Sequence, residues 1–481
     1  MEAVRLAGLE PKAVFGYFEK ICSIPHGSGN TKQISDYLVS FAKEHGLRYI
    51  QDELNNVILF GEGTCGFEDH PPVILQGHMD MVCEKDPDCP VNMETDGLDV
   101  THDGKFVFAR GTSLGGDDGA MVAFGLALLA DPTIPHPPLE VIFTVDEETG
   151  LEGATGIDLS TLKGKTMLNL DSEEEGIFTV SCAGGCRATI TLPVERKLFM
   201  GPCVKLTVEG LRGGHSGIQI KCPYANANKV MAELLKRVQN LMPLAITALE
   251  GGAKDNAIPR FASASMVLLG MNIERVNQVC AELEAEIREK FDEPNVKIFG
   301  DDIDAMGGLA LTLESTKQVI ELLEAVPNGV MAMSQDIEGL VQTSLNLGVV
   351  RLSNDAISMT SAVRSSVNRE KAVLLEGLKA IAAKFGASYS ERGVYPAWEY
   401  RKDSPLRDTM VRVYRQMYGQ EAEVVAIHAG LECGILGEKI PDLDCVSVGP
   451  NLIDIHTNRE KMDIASVKRT WEFLLEVLKN L

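Results

Sequence analysis

The sequence predicts an α/β protein into which a second, α+β domain is inserted. Strand and helix signals alternate up to about residue 188 and again from about residue 395, as in a mixed sheet flanked by helices. Between these stretches the order of elements is typical of antiparallel α+β halves. The 481 residues exceed one compact domain. We therefore predict a discontinuous first domain at 1–188 and 395–481, and an inserted domain at 189–394.

Apolar periodicity places the elements of the first domain. Helices are predicted at Pro11–Ile24, Thr31–His45, Gly119–Ala130, Pro405–Tyr418 and Ala465–Leu481. Strands are predicted at Asn56–Phe60, Val73–Gln76, Leu139–Val145, Met167–Leu170, Ile177–Ser181 and Asp444–Val448. The alternation indicates a mixed central sheet with helices on its faces.

The inserted domain contains two successive halves with a β-α-β-β-α-β-like order, near 200–300 and 307–392. Its strands are predicted at Cys203–Glu209, Ala245–Leu249, Phe261–Leu269, Val296–Phe299, Leu309–Leu313, Ser344–Arg351, Ala356–Val363 and Ala387–Arg392. Its helices are predicted at Tyr224–Asn240, Asn272–Phe291, Ser315–Ala325 and Glu370–Phe385. The repeat rests on the order of elements alone, because the two halves share no sequence identity.

Composition excludes several classes of partner. The chain has 45 basic and 69 acidic residues, a net charge of −24, which argues against nucleic-acid binding and disfavours anionic membranes. No apolar run reaches the roughly 18–20 residues of a spanning helix, and the first residues lack the features of a secretory signal. Eleven cysteines without framework spacing indicate reduced thiols. We therefore expect a cytoplasmic protein.

The most informative stretch is Pro72–Glu84, in which the apolar run Val73–Leu75 ends in polar residues. In open α/β sheets, ligands bind beyond the carboxyl ends of the strands. Side chains alternate along a strand, so His78 and Asp80 share one face. A carboxylate at this spacing can accept the imidazole N–H and leave the other ring nitrogen for a metal ion.

Four further sites along the chain, one of them a pair of glutamates, follow apolar segments and make five sites with metal-binding groups when His78 is included. Asp117 lies in a glycine-rich turn that opens a helix, Glu147 and Glu148 follow the strand ending at Val145, and Asp171 follows the strand ending at Leu170. His456 comes after the last strand and a Gly-Pro turn. Histidines and carboxylates are ligands of divalent metals, so five such positions indicate one shared site.

These motifs resemble those of the co-catalytic dizinc peptidases, a superfamily that includes carboxypeptidase G2, peptidase T and the carnosinases. The resemblance rests on HMD, GGDDG, DEETG, NLDSEEEG and IHTNRE. LQGHMDMV, GGHSG, NAIPR and HAGLECG are more similar to one branch, the bacterial cytosolic aminoacyl-histidine (Xaa-His) dipeptidases. The similarity extends from about Phe15 to near the C-terminus.

The resemblance implies a ligand set for two zinc ions. His78 and Asp171 would hold one ion, Glu148 and His456 the other, and Asp117 would bridge both. Each ion would keep an open position, as in catalytic sites, although cobalt or manganese would fit the same ligands.

The same comparison implies roles for two carboxylates beside the ions. Glu147 would be the general base for a water held between the ions, and Asp80 would orient His78. Because adjacent side chains on a strand end point in different directions, Glu147 can face the water while Glu148 binds metal. Much of the superfamily has a lysine two residues after the bridging aspartate, where this chain has Gly119.

Five more residues are candidates for holding a substrate, and the resemblance implies that the inserted domain, which carries three of them, is a lid. By resemblance, His215 reaches the tetrahedral oxyanion. Asn256 can donate to a substrate carbonyl or carboxylate. Arg364, at the end of a predicted strand, suits bidentate recognition of a free C-terminal carboxylate, and a salt bridge within the lid is its alternative. His428 is expected to line the pocket, and Glu432 to contact the substrate ammonium.

The function that the sequence supports best is that of a metal-dependent dipeptidase of the Xaa-His type, acting on short peptides with a free carboxylate. One alternative is an amidohydrolase of the same superfamily that removes an acyl group from an amino acid. A second is a non-catalytic, metal-dependent binding protein, against which Glu147 argues because binding alone needs no base. The sequence leaves a homodimer open.

Overall fold

The structure, a computed structural model, describes residues 5–270 and 273–481. The helices, α1 to α12 in chain order, are Lys12–Cys22, Lys32–Glu44, Gly116–Ala130, Glu147–Gly150, Glu152–Gly156, Ala227–Leu241, Ile273–Lys290, Leu313–Ala325, Asn368–Lys384, Pro405–Tyr418, Glu432–Lys439 and Ile464–Leu478. The predicted start of the seventh helix, Asn272, lies outside the described residues.

The strands include short segments that periodicity did not predict. In chain order, β1 to β25 are Arg48–Gln51, Val57–Gly61, Val73–His78, Val100–His102, Phe106–Ala109, Leu139–Thr144, Thr166–Asn169, Ile177–Cys182, Gly184–Pro193, Arg196–Phe199, Cys203–Glu209, Gly214–His215, Leu244–Gly251, Ala257–Ile258, Ala262–Leu268, Lys297–Ile303, Gly308–Leu311, Gly329–Met333, Val341–Leu352, Ala356–Ser365, Ser388–Tyr395, Glu423–Ile427, Asp444–Ser447, Leu452–Ile453 and Lys461–Asp463.

The chain divides into two compact units. The first comprises the described residues up to Ser181 together with Tyr400–Ala426 and Leu431–Leu481. The second comprises Cys182–Glu399 and Ile427–Gly430. No helix within 5–270 or 273–481 is both long enough and apolar enough to cross a membrane.

The first unit is built on an eight-stranded mixed sheet in the order β1-β2-β6-β3-β7-β23-β8-β22. The central pairs β6–β3, β3–β7 and β7–β23 are parallel, whereas β1–β2, β2–β6 and β23–β8 are antiparallel. The central strands β3 and β6 are buried along their whole length, as expected for parallel strands covered on both faces. The predicted α/β class is thus confirmed.

Helix α3 packs against β3 and α1 and carries the glycine-rich turn at its start. Its sequence is apolar on every face, and Gly119–Leu129 are all buried, which is the behaviour of a helix enclosed by its neighbours. Gly119 faces Phe18 so closely that an added Cβ would lie 3.2 Å from the ring. The neighbouring ring therefore leaves little room for the lysine that much of the superfamily has at this position.

The second unit is built on a nine-stranded antiparallel sheet. The strands β16-β11-β15-β13 lie in the order of a ferredoxin-like motif, with α6 and α7 as its helices. The other half, β19-β20-β9-β21, takes β9 as its first strand, although β9 precedes the whole first half in sequence. The prediction of two successive halves therefore differs from the structure in this strand, since β17 pairs with β10 outside the sheet.

Candidate metal centre

Parallel strands of the first unit bring the predicted ligands to one edge of the sheet. His78 is the last residue of β3, and Asp171 follows β7, which pairs with β3 in parallel. Thr144, three residues before Glu147, pairs with His78 itself. The carboxyl ends of these strands meet, so side chains distant in sequence become neighbours.

The turn before α3 supplies the central carboxylate. Gly115 has a φ of 68°, in the left-handed region that a residue without Cβ adopts at no steric cost. Asp117 and Asp118 have non-helical backbone angles, and the regular helix follows them. This irregular start directs the Asp117 side chain toward the strand ends.

The two oxygens of Asp117 face two different histidines. Oδ1 lies 3.0 Å from Nε2 of His78, and Oδ2 lies 3.2 Å from Nε2 of His456. His78 Nε2 is also 3.7 Å from Asp171 Oδ1, and His456 Nε2 is 2.8 Å from Glu148 Oε1. Asp117 therefore joins two ligand pairs, as a carboxylate that bridges two ions must.

The spacing of these atoms fits divalent ions. Ligand atoms about 2.0–2.2 Å from a tetrahedral ion are roughly 3.4 Å from one another. The contacts of 2.8–3.7 Å between imidazole nitrogens and carboxylate oxygens are close to that value. Two groups, His78 with Asp118 and Asp171, and Asp117 with Glu148 and His456, each have ligand atoms within 4.8 Å of one another. The residues present could thus hold two ions.

Asp118 was not predicted as a ligand, although it lies in one of these groups. Its side chain is buried against Gly77, and its Oδ2 has no hydrogen-bond partner among the described residues. The glycine at position 77 therefore leaves room for this carboxylate beside His78.

Asp80 fixes the tautomer of His78 through its backbone carbonyl, and not through the carboxylate that was predicted to do so. Nδ1 donates to the backbone carbonyl of Asp80 at 2.9 Å, whereas the Asp80 carboxylate is 3.5 Å away. With Nδ1 bound to this carbonyl, Nε2 is the nitrogen that faces Asp117, and the loss of its proton leaves a lone pair for an ion. The Asp80 carboxylate instead accepts from the Glu147 N–H at 3.2 Å and from Ser28 Oγ at 2.8 Å.

Glu147 and Glu148 were predicted to lie on the end of a strand, but in the structure they lie outside it. Strand β6 ends at Thr144, Asp146 has a φ of 54°, and the two glutamates open the short helix α4. The left-handed residue turns the chain back over the strand end. The carboxylates of both glutamates lie within 4.8 Å of His78.

Burial and the acidic surroundings shift the pKa of Glu147. Burial raises the pKa of Glu147 to about 8, and the charges of Glu432, Glu148 and Asp117 add to this against the opposing charge of His78. A carboxyl group that titrates near neutrality is suited to accept a proton and return it.

Both candidate histidine ligands bind protons strongly in the metal-free protein. Hydrogen bonds with Asp117 and Glu148 raise the pKa of His456 to about 10. Burial opposes the protonation of His78, but its bonds to Asp117 and Asp80 raise its pKa well above the usual value. Divalent cations would neutralise the same carboxylate charges that hold these protons.

Ion binding should therefore release protons, because a metal binds neutral imidazole. We expect the apparent affinity for divalent ions to increase as the pH rises from about 6 to 8. Calorimetric titration in two buffers of different ionisation enthalpy measures the protons released at each pH. An affinity that is independent of pH, with no proton release, would contradict this electrostatic description.

In the second unit, His215 is held in one tautomer. It lies on β12, which pairs with β14, and its Nδ1 accepts from the N–H groups of Gly217 and Ile218 at 3.3 Å each. Burial, helped by the charge of Arg364, lowers its pKa. A neutral ring whose Nδ1 accepts must carry its proton on Nε2, so His215 offers one neutral N–H donor.

Arg364 and His428 lie together in the same unit. Ser344 is opposite Arg364 in the β19–β20 pair, and its Oγ is 2.7 Å from His428 Nε2. Burial and the charge of Arg364 lower the pKa of His428 to about 4, so this ring is neutral. Arg364 donates to the Tyr395 hydroxyl at 3.2 Å, and its buried Nε has no hydrogen-bond partner among the described residues.

Asn256 is exposed beside β14, and its backbone carbonyl accepts from the N–H of Ser216. This bond places Asn256 next to His215, the neighbour of Ser216. The structure thus brings His215 and Asn256 together at one ribbon of the second unit, and Arg364 and His428 together on its main sheet.

Glu432 lies in a buried polar network of the first unit. Its Oε2 accepts from Gln76 Nε2 at 2.5 Å and from Thr144 Oγ1 at 2.6 Å, and the side chain is fully buried. Gln76 lies on β3 and Thr144 ends β6, so the network lies close to the predicted site residues. Glu432 Oε1 has no hydrogen-bond partner among the described residues, and its contact to a substrate ammonium stays a prediction.

Sequence reasoning missed several residues that contact the candidate residues of each unit. Ser28 binds Asp80 across 52 positions, Tyr395 binds Arg364 across 31, and Glu460 binds the turn before Asp117 across more than 340. A pattern of residues along one segment carries no signal for such distant contacts. Glu460 was visible as the last residue of IHTNRE, but nothing in that motif shows which group it would contact.

The fold and the site together define an α/β protein with a candidate centre for two divalent ions at its strand ends. The model of peptidase family M20/M25/M40 matches residues 74–480, a range that includes every predicted ligand. The chain belongs to this family and is therefore a hydrolase of peptide bonds.

Comparison with individual proteins agrees with the assignment to this peptidase family. The chain is 36% identical over 482 residues to the cytosol non-specific dipeptidase of Escherichia coli (strain K12), covering 99% of both chains. The crystal structure of the aminoacylhistidine dipeptidase of Vibrio alginolyticus is similar with a TM-score of 0.93 and 34% identity, covering 99% of this chain and 98% of that one. An aminopeptidase of Bacillus cereus shares the fold, with a TM-score of 0.57, 15% identity and 98% coverage of both chains.

Proposed function

We propose that this peptidase is a metal-dependent dipeptidase that hydrolyses short peptides with a free C-terminal carboxylate, including Xaa-His dipeptides. The observation that carries the metal dependence is Asp117, whose two oxygens face His78 and His456 separately. Similarity over 99% of the chain to dipeptidases of two bacteria supports a dipeptide as the substrate.

The proposed cofactor is a pair of zinc ions. His78 and Asp171 would hold one, Glu148 and His456 the other, and Asp117 would bind both. Cobalt or manganese would also suit these nitrogen and oxygen ligands. Two ions would supply Lewis-acid activation of the attacking water and of the scissile carbonyl.

Glu147 is the proposed general base. Its carboxylate lies beside His78 and Glu148, and its backbone N–H is fixed by the carboxylate of Asp80. The side chain would accept a proton from the attacking water and pass it to the leaving amine. Without ions, burial and the neighbouring acids raise the pKa of Glu147 to about 8, and bound cations would lower it toward the range in which the carboxylate accepts a proton near neutral pH.

The second unit, the segment predicted as a lid at 189–394, is proposed to hold the substrate. The neutral Nε2–H of His215 would donate to the oxyanion that forms at the scissile carbonyl. Arg364, with its unpartnered Nε, would bind the C-terminal carboxylate, while Asn256 and the neutral His428 would make polar contacts around it.

Removal of the guanidinium should abolish the preference for a free carboxylate. A charge-assisted pair is worth about 1.5–3 kcal/mol, or roughly 10–150-fold. We expect the wild type to cleave a free dipeptide faster than its C-terminal amide by about this factor, and Arg364→Ala to lose most of the difference. The ratio of kcat/KM for the free dipeptide to kcat/KM for its amide, determined for both enzymes, measures this preference.

Two variants serve as controls for this effect. Arg392→Ala removes a charge from an exposed position of the same unit and should keep the acid preference. His215→Ala should slow acid and amide alike, because an oxyanion forms in both reactions. An Arg364→Ala enzyme that keeps the full preference would show that another group binds the carboxylate.

The alternatives are distinguished by a panel of substrates tested on metal-defined enzyme. An amidohydrolase would prefer N-acyl amino acids over dipeptides with a free amino group, and a binding protein would hydrolyse neither. The proposal expects rapid cleavage of free dipeptides and slow cleavage when either end is blocked. Equal rates on free and amidated dipeptides would rule it out.

Cytoplasmic location and a homodimer complete the proposal. The relative from Escherichia coli is named as a cytosol enzyme, and eleven cysteines without framework spacing are consistent with the same location. Sedimentation of the purified chain distinguishes a dimer from the 52.2 kDa monomer.

A further inference from the structure

Glu460 holds the turn that carries Asp117. Its Oε2 accepts from the backbone N–H groups of Leu114 at 2.7 Å and Gly115 at 3.0 Å. Its Oε1 accepts from those of Gly116 at 2.8 Å and Asp117 at 3.4 Å. The side chain is 3% exposed, so both oxygens are used within the protein.

The carboxylate and the turn fit each other closely. The first N–H groups of a helix have no partner within the helix, and a negative charge is favourable there. Gly115, at the N-cap of α3, has no side chain that could cap the helix. An added Cβ at Gly116 would lie 3.2 Å from Glu460 Oε1, so the absence of a side chain leaves the carboxylate its place.

The segment that carries Glu460 also carries a candidate ligand. His456 lies four residues earlier, and the carbonyl of Thr457 accepts from the N–H of Glu460 at 3.2 Å. His456 Nε2 in turn is 3.2 Å from Asp117 Oδ2. The contacts form a closed ring, in which one segment supplies the ligand His456 and fixes the backbone of the ligand Asp117.

We propose that Glu460 is a positioning residue, which places Asp117 between His78 and His456 so that one carboxylate can meet two ions. This inference rests on the proposed two-ion centre. A glutamine at 460 would keep the size of the side chain but turn an NH₂ group toward backbone N–H groups, so two of the four contacts would become repulsive. The turn would then relax, and Asp117 would lose its alignment with the histidines.

Glu140 offers a matched control in the same unit. It is also a buried carboxylate, and it accepts from the N–H groups of Lys163 at 2.9 Å and Gly164 at 2.9 Å. It lies on β6 four residues before Thr144 and pairs with Ile74, away from the carboxyl end of the strand. Its loss should weaken the fold without moving Asp117.

The experiment compares Glu460→Gln and Glu140→Gln by thermal unfolding, by competition for Zn²⁺ with a chelator, and by the visible spectrum of the Co²⁺-substituted protein. Both variants should have a lower Tm. Only Glu460→Gln should bind both ions about 10–100-fold more weakly and show an altered cobalt spectrum. Glu460→Asp, which keeps the charge on a shorter side chain, should recover part of the affinity.

Wild-type ion affinity and an unchanged cobalt spectrum in Glu460→Gln would overturn the proposal, whatever its Tm. If Glu460→Gln does not fold, ion affinity and the cobalt spectrum are compared between Glu460→Asp and Glu140→Asp. Wild-type values of both in Glu460→Asp would then overturn the proposal. A wild type that binds two ions but cleaves no dipeptide would refute the proposed function and leave the role of Glu460 standing. A wild type that binds no divalent ion would refute both.

Discussion

Asp117→Ala should lose both ions and, with them, nearly all hydrolysis. The two oxygens of Asp117 are 3.0 Å from His78 Nε2 and 3.2 Å from His456 Nε2, so a single truncation would remove a proposed ligand from each proposed ion. Elemental analysis of the purified variant, after dialysis against a weak chelator, should find well under one ion per chain. This is the largest effect that we expect of any single substitution.

A matched change at the other end of the same helix controls for helix stability. Asp131 follows α3, and its side chain accepts from the N–H of Thr133 at 2.9 Å. Asp131→Ala should lower the Tm slightly and keep both ions. Two tightly held ions in Asp117→Ala would show that this residue is no bridge.

Glu147→Gln should keep both ions and lose turnover by about 10²–10⁴-fold, the usual contribution of a general base. The amide is nearly isosteric with the acid but cannot accept the proton. Glu148→Gln should behave differently, because Glu148 Oε1 is 2.8 Å from His456 Nε2 and the variant should weaken the ion held there. Measurements of kcat and ion content on the two variants separate the roles.

The contrast between the two neighbours is the test. If Glu148→Gln keeps its ions and loses turnover while Glu147→Gln loses an ion, the two roles are exchanged. If both variants keep full turnover, neither residue is the base.

Much of the fold followed from local patterns in the sequence. Helix α10 and strand β11 were predicted with their observed bounds, because a proline and a serine cap mark the start of α10 and β-branched residues recur along β11. Strand β9 was missed because its start, Gly184-Gly185, has the composition of a turn. That strand pairs with β20 and β21, two partners far away in sequence, which together override the local preference.

Some residues of the candidate site could also be predicted from the local sequence, whereas their contacts with distant segments could not. Residues at strand ends, such as His78 and Asp171, were visible because apolar runs stop directly before them. The backbone atom of Asp80 that binds His78, and the contacts of Glu432 and Glu460, depend on the path of the chain in three dimensions. Such contacts can be predicted only when the topology is known.

The most direct test of the central claim, a two-ion dipeptidase, is a titration of the chelator-stripped enzyme with Zn²⁺ while the hydrolysis of a free dipeptide is measured. Activity should be absent at the start, rise with added ion and become constant once two ions per chain are bound. Undiminished hydrolysis by the stripped enzyme would contradict the account. Full activity with a single bound ion would contradict it as well, because Asp117 would then have nothing to bridge.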